Sequence, residues 1–143
     1  MPGDNMIMMV MDGQGGGIGA SLIKGLRNAI NREMEILALG TNSIATSRMM
    51  KAGANKGATG ERAIVRTSAK VDVIVGPLAI VVPDSMMGEL TPSMASAVSA
   101  SEAKKILIPL TQENIELVGV SGEPLPHLVD QVVEIIKEMG NHV

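Results

Sequence analysis

The sequence predicts an α/β protein, a three-layer αβα sandwich with a Rossmann-like, mostly parallel sheet, and it predicts residues 1–143 to form one domain. Apolar runs of strand length alternate with stretches of helical periodicity along the chain. Three of the runs are continuously apolar, which is typical of strands covered by helices on both faces. The apolar content of 45% is enough for one sizeable core.

The first predicted unit is a strand, a glycine loop and a helix. The apolar run at 6–11 predicts the strand, and the recurrence of apolar residues from Ile18 predicts a helix over 17–32. Between them lie five glycines within 13–19. Glycine lets the backbone turn sharply and approach a ligand, and a helix N-terminus attracts anions. The loop therefore predicts a phosphate site. The alternative is a tight turn that only packs the helix against the sheet.

The later elements follow from the same patterns and from capping residues. A Thr-Pro pair at 91–92 predicts a helix start, and the apolar face from Leu125 predicts a long final helix. The run at 78–83 has strand composition but stands where a crossover helix is expected. The predicted strands are 35–39, 63–65, 71–75, 105–110 and 115–120, the predicted helices are 43–53, 92–101 and 125–139, and a glycine-rich connection is predicted at 54–60.

Ligands of such sheets bind beyond the carboxyl ends of the strands, where the strand order reverses. This rule gathers the loops at 12–19, 40–43 and 76–77 into one crevice. The predicted ligand-binding residues are Gly13, Gln14, Gly15, Gly16, Gly17, Ile18, Gly19, Thr41, Asn42, Arg48 and Gly76. Asp12 would repel a nearby phosphate; it either accepts hydrogen bonds within the loop or faces a Mg²⁺ ion.

The spacing Gly13-x-x-x-Gly17-x-Gly19 resembles the glycine loop of short-chain dehydrogenases, and Gly15-x-Gly17-x-x-Ala20 resembles the general dinucleotide fingerprint. That resemblance implies NAD or NADP. The catalytic Tyr-x-x-x-Lys of the dehydrogenases is excluded, because the chain has no tyrosine. Strand 35–39 is followed by Gly40-Thr41-Asn42 rather than by an acidic residue, which favours NADP or a smaller ligand over NAD.

Nearly the whole chain resembles a family of small bacterial proteins that is described as a domain of unknown function. The resemblance implies an intact single domain and supplies no activity. The segments that carry it are Asp12-Gly-Gln-Gly-Gly-Gly-Ile-Gly19, Leu39-Gly-Thr-Asn42, Lys51-Ala-Gly-Ala-Asn-Lys-Gly-Ala-Thr-Gly60, Gly76-Pro77, Met87-Gly-Glu89, Lys105-Ile-Leu-Ile-Pro109 and Glu123-Pro-Leu-Pro126.

Composition narrows the class of function. The absence of cysteine excludes disulfides and thiolate metal sites and favours the cytoplasm. No apolar run reaches the roughly 20 residues of a membrane span, and no signal peptide is predicted. The chain also lacks Phe, Tyr and Trp, so no aromatic platform can stack an unpaired base. With a net charge of −3, nucleic acid is not a predicted partner.

Other features leave two interpretations each. Residues 48–70 hold half of all Lys and Arg, which indicates either a site for an anionic group or a solvated basic face. The loop at 54–61 is either a flap over the ligand or a plain connection. Acid–base candidates near the crevice are Asp84, Ser85 and Glu89, His127 is taken as structural, and no spacing predicts a metal site. Paired methionines at 49–50 and 86–87 predict a homodimer or larger assembly.

The resulting hypothesis is a cytoplasmic protein that binds a nucleotide or dinucleotide by its phosphate. If it is an enzyme, the expected class is an NAD(P)-linked oxidoreductase whose cofactor carries the chemistry, with catalytic residues undetermined. The alternatives are a non-catalytic ligand sensor and a structural homo-oligomer in which the glycine loop only packs.

Overall fold

A computed structural model describes residues 6–30, 33–110 and 113–141. Its strands are β1 (Ile7–Asp12), β2 (Glu35–Gly40), β3 (Lys56–Thr59), β4 (Val73–Pro77) and β5 (Lys104–Ile108). Its helices are α1 (Gly17–Ala29), α2 (Ser43–Lys51), α3 (Glu61–Ser68), α4 (Pro92–Ala100) and α5 (Leu125–Asn141), and a short 3₁₀ helix covers Leu78–Val81. The strands form one parallel sheet in the order β3-β2-β1-β4-β5. The predicted fold class is confirmed.

Both faces of the sheet are covered because side chains alternate along the central strand. Met8 and Val10 of β1 pack into a core with α1, α2 and α5. Met9 and Met11 point to the opposite face and pack with α3 and α4. All four side chains are fully buried, so the strand is continuously apolar in sequence. The result is three layers, helices–sheet–helices.

The strand order reverses between β1 and β4. From β1 the chain moves outward through β2 to β3, and it then returns to place β4 on the other side of β1. The residues at the carboxyl ends of these two neighbours are Asp12 and Pro77. A crevice at this point is the expected ligand position in an open parallel sheet.

Two predictions between residues 54 and 68 were wrong. The connection at 54–60 contains β3, which pairs with β2, so it is an edge strand rather than a flap. The predicted strand at 63–65 lies inside α3. The β-branched residues there favour a strand, but Ile64 and Ser68 are spaced four apart and are both buried, so helical packing overrides the local preference.

The strand predicted at 115–120 does not form in the part of the chain that the structure describes. The apolar residues alternate there, but a turn at Val118 and Gly119 (φ 85°) ends any extended run. The ambiguous run at 78–83 contains the 3₁₀ helix. Helix α1 ends at Ala29, and residues 31–32 of its predicted range lie outside the described residues.

Candidate functional site

A cavity of about 580 Å³ opens at the reversal point of the strand order, at the carboxyl ends of β1 and β4. Asp12 and Pro77 lie in its wall, and Gln14 and Ile18 of the glycine loop line one side. A recess of about 620 Å³ lies at the amino edge between residues 69–72 and 100–103. Only the first of the two touches the loop, so it is the candidate site.

Asp12 braces the glycine loop from within. Its Oδ1 accepts a hydrogen bond from the amide of Gly13 at 2.8 Å, and its Oδ2 accepts one from the amide of Gly19 at 2.7 Å. Gly16, the N-cap residue of α1, has no side chain that could accept a hydrogen bond from the helix, so Asp12 caps the first turn in its place. Burial raises the pKa of Asp12, while these amide bonds and the charge of Arg48 act in the opposite direction. Of the two sequence interpretations of Asp12, the geometry matches loop bracing.

Three of the loop glycines stand where a Cβ would meet close neighbours. A Cβ on Gly16 would lie 2.8 Å from Cα of Ala45 in α2, and the residue has φ 73°. A Cβ on Gly13 would collide with Met86 and lie 2.5 Å from Oγ1 of Thr41. A Cβ on Gly19 would collide with Met49. These positions bring β1, α1 and α2 together, as the packing interpretation of the loop expects.

The other two loop glycines have space. A Cβ on Gly15 would meet only Nη1 of Arg48, at 3.8 Å, and a Cβ on Gly17 would meet only the Arg48 guanidinium, at 3.4 Å or more. Arg48 Nη1 donates to the carbonyl oxygen of Gly15 at 3.3 Å, which holds the guanidinium beside the first turn of α1. Close packing therefore does not explain why glycine stands at 15 and 17, whereas close approach of a ligand would.

The side chains of Thr41 and Asn42 are linked to the glycine loop by one carboxylate, that of Glu89. Glu89 Oε1 accepts from Thr41 Oγ1 at 2.7 Å, from Asn42 Nδ2 at 2.8 Å and from the amide of Gln14 at 3.0 Å. Burial acts to raise the pKa of Glu89, but the bonds from Thr41, Gln14 and Asn42 outweigh it, and the pKa is lowered. Glu89 is therefore an ionised carboxylate at neutral pH.

The segment that carries Glu89 has an unusual backbone. Asp84, Met86 and Met87 have φ of 64°, 57° and 57°, a left-handed conformation that costs a non-glycine residue about 1–2 kcal/mol. Within each predicted methionine pair one member is buried and the other is exposed: Met86 fills space beside Gly13, and Met87 is 96% exposed. The left-handed backbone at Asp84, Met86 and Met87 is strained, and backbone strain is typical of segments that clamp or cover a ligand.

The cavity wall combines an apolar surface with hydrogen-bond acceptors. The apolar part is formed by Ile18, Pro77, Ala79, Met86, Met87 and Leu110. The acceptors are the carboxylates of Asp12, Asp84 and Glu113, and Glu113 also accepts from the amide of Met86 at 3.1 Å. Within the described residues no His, Asp or Glu cluster has the geometry of a metal site.

Of the predicted ligand-binding residues, Gln14 and Ile18 lie in the cavity wall, whereas the loop glycines, Thr41, Asn42, Arg48 and Gly76 lie outside it. Gly76 is inside β4, where a Cβ would collide with the carbonyl oxygen of Met11, so strand packing accounts for this glycine. Of the basic residues at 48–70, Arg48 reaches the loop, whereas Lys56 pairs with Glu35 at 3.8 Å at the amino ends of β3 and β2. His127 pairs with Glu123 at 3.2 Å on the surface.

Leu110 and Glu113 were not predicted to belong to the site. They follow β5, which was recognised as a strand but not placed next to β4. Since all strands of a parallel sheet end at the same edge, the residues after β5 were detectable candidates.

No helix among the described residues has both the length and the apolar character that crossing a membrane requires.

The chain belongs to the family described as a domain of unknown function, DUF3842, whose model matches residues 7–141. No curated protein sequence matches it at a significant level. Among solved structures, the crystal structure of a universal stress protein in complex with cAMP is 18% identical, over 71% of this chain and 95% of that chain, with a TM-score of 0.40. The cAMP in that structure is bound to the universal stress protein.

Proposed function

We propose that this member of the DUF3842 family binds a nucleotide or dinucleotide. The phosphate lies over Gly15 and Gly17, the crest of the glycine loop, and the nucleoside lies in the adjoining cavity. The observation that carries the proposal is the cavity of about 580 Å³ at the reversal of strand order, one wall of which is the loop itself. Its volume falls within the roughly 300–1,000 Å³ of small-molecule sites.

The phosphate contacts follow from which loop amides are already in use. The amides of Gly13 and Gly19 bond to Asp12, and the amide of Gly16 bonds to the carbonyl oxygen of Gly13. A phosphate would therefore approach at Gly15 and Gly17, where the missing Cβ atoms give access and the α1 dipole attracts an anion. The Arg48 guanidinium is held beside the same two residues and supplies the positive charge.

The cavity suits a nucleoside in a chain that lacks aromatic residues. Ile18, Pro77 and Leu110 offer flat aliphatic contact to a base. Asp84 and Glu113 offer carboxylate acceptors to the hydroxyl groups of a ribose. The absence of an acidic residue directly after β2 still favours NADP or a mononucleotide over NAD.

A thermal-shift panel of NADP, NAD, FMN, ATP, CoA and sugar phosphates tests the proposal. A ligand at roughly a hundredfold excess over its Kd adds about 2.7 kcal/mol to the unfolding free energy, which gives a measurable rise in Tm. No shift with any phosphate-bearing compound, confirmed by calorimetry, would refute the proposal.

Gly17→Asp and Gly17→Ala form a matched pair for locating the phosphate. The Asp carboxylate would stand beside Arg48 and repel the phosphate, while an acidic group in the first turn of α1 favours the helix. We expect Gly17→Asp to abolish the ligand-induced shift and Gly17→Ala to weaken it less. Equal binding by wild type and Gly17→Asp would place the phosphate elsewhere.

Non-catalytic sensing is the second candidate, and it is favoured by the hydrogen bonds that already occupy Asp12 and Glu89, which leave few side chains free for acid–base work. Incubation with the ligand found in the panel, followed by product detection, separates a sensor from an enzyme.

We also propose that the protein is a cytoplasmic homo-oligomer, in keeping with the exposed Met87 and Val118. Light scattering on a sizing column would test the oligomeric state.

A further inference from the structure

Glu89 stands where the sequence places a ligand anion. Its Oε1 receives hydrogen bonds from Gln14 N, Thr41 Oγ1 and Asn42 Nδ2, at 3.0, 2.7 and 2.8 Å. Those donors come from the glycine loop and from the turn after β2, the two segments predicted to hold the phosphate-bearing ligand. One oxygen collecting three donors is also how a phosphate oxygen is bound.

We propose that the Glu89 carboxylate is an internal substitute for the ligand phosphate, and that an incoming phosphate displaces it from Gln14, Thr41 and Asn42. This inference rests on the proposed function and adds an autoinhibitory step to it. Binding then has two parts: the open positions at Gly15, Gly17 and Arg48 receive the phosphate first, and the donors under Glu89 complete the site once the carboxylate leaves.

The donors are fixed independently of Glu89, so they would remain in place after it leaves. Asn42 caps α2 by accepting from the amide of Ala45 at 2.9 Å, and it donates to the carbonyl oxygen of Gln14 at 2.9 Å. Thr41 is anchored by its amide, which donates to the carbonyl oxygen of Asp12 at 3.1 Å. The subsite is therefore preorganised.

The segment that carries Glu89 is fixed at its ends and strained and exposed between them. Its ends are fixed, since Ser85 Oγ donates to the carbonyl oxygen of Ala79 at 2.7 Å and Leu90 is fully buried. Between these anchors, Met86 and Met87 have left-handed backbone, and Met87 is exposed to solvent. Met86 is buried and its amide donates to Glu113, so the part that moves is Met87 to Glu89, where strain at Met87 and the exposure of Met87 and Gly88 lower the cost of motion.

Glu89→Gln and Glu116→Gln test the inference with inorganic pyrophosphate as the probe, by calorimetry on the full chain. Gln keeps an oxygen acceptor for the three donors but lacks the charge, so it holds them less strongly and does not repel phosphate. We expect Glu89→Gln to bind pyrophosphate at least about fivefold more tightly than wild type. Glu116 is exposed and follows β5; its removal changes net charge equally, and salt screening should keep the affinity within about twofold.

Each other outcome overturns the inference in a distinct way. Equal affinity of wild type and Glu89→Gln would show that the carboxylate does not compete, while the proposed function stands. Weaker binding by Glu89→Gln would make Glu89 a part of the ligand site. No pyrophosphate binding by either protein would overturn the displacement of Glu89 by phosphate, and the thermal-shift panel would then decide the proposed function separately.

A carboxyl NMR titration gives an independent readout. In the free protein the pKa of Glu89 lies below the ordinary range of a glutamate because of its three donors. With pyrophosphate at saturation, we expect this pKa to rise to the ordinary range or above it, because the donors are lost and an anion is near. A pKa that stays low would show that Glu89 keeps its partners and would contradict displacement.

Discussion

Asp12 and Gly19 are joined by a hydrogen bond of 2.7 Å between the Oδ2 of the carboxylate and the backbone amide in the first turn of α1. This bond fixes where β1 ends relative to where the helix begins. It also removes one amide from those that a ligand could use. The anion-attracting end of α1 is therefore partly satisfied by the protein itself, and a phosphate is directed to the loop crest at Gly15 and Gly17.

The Asp12–Gly19 bond predicts that Asp12→Asn destabilises the fold. An Asn side chain offers one acceptor and one NH₂ group where two amides, those of Gly13 and Gly19, require acceptors. Leaving one of these buried amides unsatisfied should cost about 1–3 kcal/mol at pH 7. Urea unfolding measures the change. A loss below about 0.5 kcal/mol would mean that the two bonds contribute little to stability.

The stabilising effect of Glu89 should depend on pH. Its folded-state pKa is below the ordinary value of 4.5, so its contribution is present above pH 4.5 and is lost as the pH falls through the folded pKa. We expect wild type to exceed Glu89→Gln in unfolding free energy by about 1 kcal/mol at pH 7, because charged acceptors form stronger hydrogen bonds. Urea unfolding at pH 7 and pH 3.5 should show this difference shrinking. A constant difference would contradict the lowered pKa.

The glycines of the loop should separate into two classes by stability. Gly16→Ala requires a left-handed alanine and places its Cβ against the α2 backbone, so it should cost roughly 2 kcal/mol or more. Gly15→Ala meets only the end of a flexible arginine, so its effect should stay within about 0.5 kcal/mol. Thermal unfolding of both variants decides this. Equal destabilisation would show that the whole loop is a packing device.

Local pattern predicted those parts of the fold in which local and tertiary preferences agree. β1 and α1 were predictable because a continuous apolar run and an amphipathic helix flank a glycine cluster, and α4 because Thr91 and Pro92 give a start signal. Helix α3 was not, because Ile64 and Val65 favour a strand and only burial against the sheet makes the segment helical. Strand pairing, unlike strand existence, is a long-range property.

Some features of the candidate site were likewise predictable from the sequence, and others depend on the folded chain. The position of the cavity, at the carboxyl ends of β1 and β4, followed from the reversal rule for parallel sheets, and the same rule predicts that residues 12–19, 41 and 42 contribute to ligand binding. The roles of individual glycines depend on which neighbour stands opposite each one, as with Ala45 opposite Gly16, and spacing does not reveal this. Glu89 was placed near the crevice by its sequence neighbourhood, but its three donors come from residues 14, 41 and 42, and only the folded chain brings them together.

Arg48 should matter for ligand binding and little for folding. It is exposed and makes one hydrogen bond of 3.3 Å to the loop, so Arg48→Gln should change the unfolding free energy by less than about 0.5 kcal/mol. A charge-assisted contact with phosphate is worth about 1.5–3 kcal/mol, so the affinity for pyrophosphate should fall roughly 10- to 100-fold. Lys51→Gln, one turn later on α2 and also exposed, is the matched control and should retain most of the affinity. Calorimetry at two salt concentrations measures both variants, and Arg48→Gln should also flatten the salt dependence. If both variants lost affinity equally, a diffuse basic face would hold the anion, and the guanidinium beside Gly15 and Gly17 would have no specific role.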